Sequence, residues 1–251
     1  MPTGTVKSAT RVLQVLEYFA QVRTPLALKQ ISDALGYPQS STTVLLKNLI
    51  ALGYLNYNRA DRVYFPTPRV ASLGDWVTQA LFGQGRIVEA MRDLHSATGE
   101  TVSICMLNDI YVQYIRVIQS THQLRFHTDE GSMRPLTLSA VGWLLLTDRG
   151  DAEIENLVRR ANIAAPRKED RVALDVIAPQ VADARERKSL YMENMPLLGG
   201  ATIGVVLPCL VQGRIAVLGM GGTIERMRPH RARYTALMRR LVQPLGESRP
   251  A

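Results

Sequence analysis

The sequence predicts an α+β protein in two parts: a helix–turn–helix with a β-hairpin wing, then an antiparallel sheet with helices packed on it. Three observations predict it. Residues 26–57 read as helix, turn, helix and strand; from residue 100 the apolar period changes from helical to alternating; and the net charge of +8 is concentrated near the two ends.

Ahead of the motif, Val12, Leu16 and Phe19 form a stripe at helical spacing, with Ser8 or Thr10 available as a cap. Leu28–Leu35 is a short helix that stops at Gly36, a residue that takes positive φ without a Cβ clash. Tyr37-Pro38-Gln39-Ser40-Ser41 makes the turn, because Pro38 restricts the backbone of Tyr37. The next helix, ending at Gly53, is expected to bury Leu45, Leu49 and Leu52. Gln39, Ser40, Ser41, Thr43 and Lys47 then point outward, where a recognition helix meets the major groove. Tyr54–Tyr57 and Val63–Phe65 are aromatic-rich strand runs around Asn58–Arg62, a hairpin with Arg59 and Arg62 at its tip, placed to reach phosphates. The competing reading is a small helical domain whose hairpin merely packs.

Pro66-Thr67-Pro68 breaks the chain, and Val70, Leu73, Trp76 and Val77 predict a connecting helix. Ile87, Met91 and Leu94 predict another, ending near Gly99. Residues 101–107 and 110–118 alternate as strands around an Asn108-Asp109 turn, and Gln123–Thr128 offers a third strand. Helices are expected from about Thr137 to Leu146, on the stripe Ile154-Leu157-Val158-Ala161, and on Leu174-Ile177-Val181-Ala184, where Pro179 signals a kink or a later start. Thr202–Pro208 and Arg214–Met220 pair around Gln212-Gly213.

A hydrophobic content of 46% supports a real core, and no apolar run approaches the ~20 residues that span a bilayer. The N-terminus has no apolar stretch of signal-peptide type, and Cys105 and Cys209 read as buried thiols of a cytoplasmic protein. Residues 1–67 carry seven Lys/Arg against three Asp/Glu, which fits attraction to phosphate. The arginines at 226, 228, 231, 233, 239 and 240 read as a solvated helix face, with a second DNA contact as the alternative. His95, His122, His127 and His230 are scattered, with no spacing that links them to a nucleophile or a metal, so no catalytic site, metal or cofactor is expected.

The chain resembles the IclR family of bacterial transcriptional regulators. The resemblance is carried by Leu26-x-Leu28-x-x-Ile31-x-x-Ala34-Leu35-Gly36, Tyr37-Pro38-Gln39-Ser40-Ser41 and Leu45-Leu46-x-x-Leu49-x-x-Leu52-Gly53-Tyr54-Leu55. In the second half it is carried by Gly99-Glu100-Thr101-Val102, by Gly131-x-x-x-Pro135-Leu136-x-x-Ser139-Ala140-x-Gly142, and by Gly213-Arg214-Ile215. It implies a winged helix–turn–helix DNA-binding domain (5–67), a linker helix (68–82) and a GAF-like antiparallel-sheet domain for effector binding and oligomerisation (83–251). The implied partners are double-stranded promoter DNA, a small-molecule effector and further copies of the chain, as a homodimer or dimer of dimers; no membrane is involved. The effector would lie between the sheet and the helix after the Pro-Leu motif.

Departures from the family pattern shape the expectations. Val44 stands where an Arg is common and Thr43 where His or Tyr is, so a different operator is expected, with Val44 available to a thymine methyl. Thr137 replaces a His, Trp143 a Lys, and Gly219-Met220-Gly221-Gly222 the usual serines. The DNA-contacting set is then Gln39, Ser40, Ser41, Thr43, Val44, Lys47, Arg59 and Arg62. The effector set is Met106, Met133, Arg134, Leu136, Ser139, Ala140, Val141 and Trp143, with Arg134 and Ser139 holding a carboxylate or hydroxyl. Trp143 and the missing serines favour an aromatic or hydrophobic acid. The expected function is a ligand-responsive regulator of catabolic promoters; the alternative is a DNA-binding oligomeric scaffold whose second domain binds no effector.

Overall fold

The computed structural model describes residues 6–82 and 85–247, without the side chains of Asp75 and residues 77–82. The side chain of Val77 in the predicted stripe, residues 5 and 83 at predicted domain starts, and the C-terminal end therefore lie outside what is described. The chain divides into two compact units, 1–80 and 81–251.

In the first unit, α1 (Lys7–Val22), α2 (Leu28–Leu35) and α3 (Gln39–Ala51) enclose a core of Val15, Phe19, Ile31, Leu46, Leu49, Leu55 and Tyr64. The wing strands β2 (Leu55–Asn58) and β3 (Val63–Pro66) pair antiparallel, and β3 also pairs with β1 (Leu26–Ala27), a short strand the sequence did not signal. Gly36 closes α2 at φ 65°. Two details differ from expectation. α1 starts at Lys7, so Ser8 and Thr10 are inside the helix, and Val6 at its N-cap offers no side-chain bond. α3 buries Thr42, Leu46 and Leu49 and leaves Leu52 58% exposed, because the helix ends at Ala51 and its buried stripe is rotated from Leu45 and Leu52. α4 (Pro68–Phe82) follows, with Leu73 and Trp76 exposed.

The second unit is a six-stranded antiparallel sheet. Its strands are β4 (Thr101–Asn108), β5 (Tyr111–Ile118), β6 (Met133–Pro135), β7 (Ser189–Glu193), β8 (Gly200–Val206) and β9 (Ala216–Thr223), in the order β6-β5-β4-β9-β8-β7. α5 (Arg86–Thr98) and α9 (Ile224–Val242) cover one face over Val102, Ile104, Met106, Leu218 and Met220. On the other, α6 (Ala140–Leu144), α7 (Asp151–Ala164) and α8 (Leu174–Arg187) cluster with Cys105, Leu107, Val112, Tyr114 and Val217. Successive strand side chains alternate faces, so β4 serves both cores and reads as a nearly continuous apolar run.

Three expectations are corrected here. Gln123–Thr128 is a loop, because the edge of β5 is already taken. Met133–Pro135 pairs with it, Gly131 N donates to Tyr114 O (2.7 Å), and the Glu130 carboxylate accepts from Val117 N (3.0 Å). The hairpin turn is Asp109-Ile110, with Asp109 at φ 55° and Asn108 paired to Tyr111. The expected helix 137–146 breaks into a 3-10 turn at Leu136–Leu138 and then α6, since Ser139 is extended and its Oγ caps Gly142 N at 3.3 Å. The glycine is obligatory there: a Cβ on Gly142 would sit 2.2 Å from the Leu136 carbonyl oxygen. Pro179 is accommodated within α8, which starts at Leu174.

Candidate DNA interface and effector cavity

Each unit carries one candidate site. On α3, Gln39, Ser40 and Lys47 are exposed and Val44 is 59% exposed, opposite the buried Thr42–Leu46–Leu49 stripe. Ser41 and Thr43 are half-buried, and their hydroxyls donate back to Pro38 O (2.9 Å) and Gln39 O (2.8 Å). Their lone pairs remain able to accept, whereas donation to a phosphate would need the hydroxyl to rotate. Asn48, absent from the sequence-predicted set, is exposed one turn beyond Val44. The signal for it was the helix register: a stripe at Thr42, Leu46 and Leu49 turns Asn48 outward.

The wing tip is built by Asn58. Its Oδ1 accepts from Ala60 N (2.9 Å), and its Nδ2 donates to Asp61 Oδ2 (2.6 Å). Arg62 takes φ 54° at the turn, and Arg59 and Arg62 are both exposed. Tyr57 and Tyr64, with ring centroids 4.7 Å apart, stiffen the strands behind them. Exposed cations on a braced hairpin suit contact with phosphates.

In the second unit a cavity of about 60 Å³ lies on the α6 side of the sheet. Its floor is Thr101 and Ser103 of β4, Gly219 and Gly221 of β9, and Thr202 of β8, brought side by side by the pairs Ser103↔Gly219, Thr101↔Gly221 and Thr202↔Gly221. Val141 forms one wall, and Phe126 and Leu197 come from the two loops over it. The glycines leave a bare strip of backbone: a Cβ on Gly219 would press within 2.9 Å of Ser103 Oγ, and one on Gly221 would come no nearer than 3.9 Å to the Ala201 carbonyl oxygen.

Arg134 lines the cavity from β6, its guanidinium carbon 5.9 Å over the Tyr114 ring. No ion pair among the described residues includes it. Burial pushes the Tyr114 phenol up to about 12, against the opposing pull of Arg134 and Ser139, so it is a neutral hydroxyl at physiological pH. The Cys105 thiol is likewise pushed up to about 12 by burial and is an inert part of the core.

Of the eight residues expected to contact an effector, the cavity brings together Arg134 and Val141. Met106 is on the opposite sheet face and Met133 is 53% exposed; each is one residue out of phase with a residue on the cavity side, Cys105 and Arg134. Leu136 and Ala140 are core. Ser139 is spent as the cap of α6, with its hydroxyl also reaching Tyr114. Trp143 is 1% exposed, and its Nε1 donates to Thr137 O at 3.0 Å, so the indole locks the 3-10 turn instead of facing a ligand. Missed residues include Thr101, Ser103 and Thr202, and Phe126 on its loop. The polar alternation Thr101-x-Ser103 in an apolar strand was the available signal for the first two.

Comparison with known proteins matches both units. The IclR helix-turn-helix domain description covers residues 8–59, and that of the bacterial transcriptional regulator IclR C-terminal covers residues 86–188. The chain belongs to the IclR family. IclR-family relatives include the transcriptional repressor IclR of Escherichia coli K12, 25% identical over 91% of this chain and 84% of that protein. The effector domain of an IclR regulator from Acinetobacter sp. ADP1 is 42% identical, covers 68% of this chain and 99% of its own, and superposes with a TM-score of 0.64. An IclR homolog from Microbacterium hydrocarbonoxydans, solved with 4-hydroxybenzoate, is 16% identical over 96% of this chain and 98% of its own, with a TM-score of 0.68. This IclR-family chain is thus a DNA-binding transcriptional regulator; its matched relatives are regulators, not enzymes. None of its described helices is long and apolar enough to cross a membrane.

Proposed function

We propose that this protein is a ligand-responsive regulator of catabolic promoters, and that its effector is a small planar carboxylic acid, aromatic in the first instance. Residues 5–67 hold the DNA, 68–82 link, and 83–251 bind effector and assemble the chain as a dimer or dimer of dimers in the cytoplasm. DNA is met by Gln39, Ser40, Ser41, Thr43, Val44, Lys47, Arg59 and Arg62, joined by Asn48.

The observation that carries the effector assignment is the cavity itself: a floor made in part of glycines, and an arginine that enters no ion pair among the described residues. Bare backbone strips accept the face of a flat ring where side chains would not. Arg134 supplies a two-pronged donor for a carboxylate, and Thr101, Ser103 and Thr202 supply hydroxyls for a ring substituent. The 4-hydroxybenzoate held by the Microbacterium homolog has this chemistry. Trp143 no longer contributes to the assignment.

Calorimetric titration of the full chain tests it. Benzoate and 4-hydroxybenzoate are expected to bind saturably, with glyoxylate and the uncharged benzamide much weaker. Binding of glyoxylate alone would overturn the aromatic assignment, and no binding by any acid would favour the scaffold reading.

A further inference from the structure

α1 and α3 border a groove lined by Ser8, Arg11, Tyr37, Ser41, Val44 and Asn48 among others. The Arg11 guanidinium carbon lies 4.8 Å over the Tyr37 ring. Tyr37 is itself held at both ends: its Oη donates to Gln14 Oε1, one turn along α1 from Arg11, and its backbone N donates to Ser32 O at 2.9 Å. Among the described residues Arg11 enters no ion pair. A cation held by a ring face keeps its full charge, and its N–H donors are not spent on a carboxylate. It is also ordered in advance, which lowers the side-chain entropy lost on binding.

We propose that Arg11 is a phosphate contact of the DNA interface and that Tyr37 is its positioning residue. The inference rests on α3 entering the major groove. A helix seated there is flanked by the phosphates of the strand along its side, and positioning contacts to those phosphates come from neighbouring helices. The groove places Arg11 beside Ser41, Val44 and Asn48, on the flank of α3 turned toward α1. The bound chemistry is a duplex phosphodiester, read for charge and not for sequence, so Arg11 adds affinity at every site the protein visits.

The test is fluorescence anisotropy of the full chain with a short mixed-sequence duplex over a salt series, where the slope of log K against log salt counts phosphate contacts. Arg11→Gln is expected to make the slope shallower by about one and to weaken low-salt binding about tenfold. Tyr37→Leu, which removes no charge, is expected to weaken binding through the loss of a fixed Arg11. An unchanged slope in Arg11→Gln, with only thermal stability reduced, would show a purely structural stack and overturn the proposal. Were Arg11→Gln to unfold the module, Arg11→Lys carries the test: a kept slope with several-fold weaker binding supports the contact, and wild-type affinity contradicts it. Lys47→Gln separates the two readings. A slope unaffected there removes the α3 docking itself, whereas a shift there without one in Arg11→Gln removes only Arg11.

Discussion

Arg226→Ala is expected to destabilise the sheet unit by about 3 kcal/mol, the low end of the cost of stripping one partner from a buried ion pair. Glu100 is 1% exposed and receives both prongs of Arg226, Nε to Oε1 at 2.7 Å and Nη2 to Oε2 at 3.0 Å. Without the arginine the carboxylate keeps, among the described residues, the His122 ring, 3.7 Å away and charged only when protonated. The cost stays at that low end because the Arg226 side chain is 27% exposed and already partly screened. Denaturant unfolding of the sheet unit measures the loss. Adding Glu100→Gln to Arg226→Ala should recover a large part of it, because the uncompensated charge goes. A single variant as stable as wild type would mean that the pair is relaxed and solvated.

Arg134→Gln carries the second large effect. On the effector reading it weakens benzoate-class binding by roughly 2–3 kcal/mol, ~30- to 150-fold, through the loss of a charge-assisted donor pair in a partly desolvated slot. Stability should barely change, because Arg134 is a half-buried residue of the edge strand β6 and no ion pair is lost. Calorimetry on the variant decides it. Retained affinity for benzoate would place the carboxylate elsewhere in the slot, near the hydroxyls of Thr101 and Ser103.

These two residues also mark how far the sequence could be read. The DNA-binding unit was legible because its signals are local: Gly36, Pro38 and the leucine spacing of α3 lie within one stretch, while the rotation of the buried stripe, the cap of α1 and the two-residue strand β1 were missed. The cavity was legible in part. Arg134 and Val141 flank the Pro-Leu motif, but Ser103, Gly219 and Thr202 meet only because β9 lies between β4 and β8, a pairing of strands far apart in sequence. Met106 and Met133 failed for a one-residue reason, since a strand sends neighbours to opposite faces. Trp143 failed for another: a tryptophan beside a ligand-binding motif and a tryptophan closing a 3-10 turn look alike until Thr137 O is found on its indole nitrogen. The arginines of α9 divide in the structure. Arg226, Arg228 and Arg239 are tied to Glu100, Glu193 and Ser189, so half of what reads as a solvated charge run holds the helix to the sheet.

The measurement that most directly tests a ligand-responsive regulator couples the two sites. An operator is first selected by the protein from random duplexes, and the complex is then titrated with 4-hydroxybenzoate at fixed salt. The account predicts a saturable change in DNA affinity, in the 5–150-fold range typical of coupled sites, that is lost in Arg134→Gln. DNA affinity that stays constant while the acid fills the cavity would contradict it, and would leave a DNA-binding assembly whose second domain carries no signal.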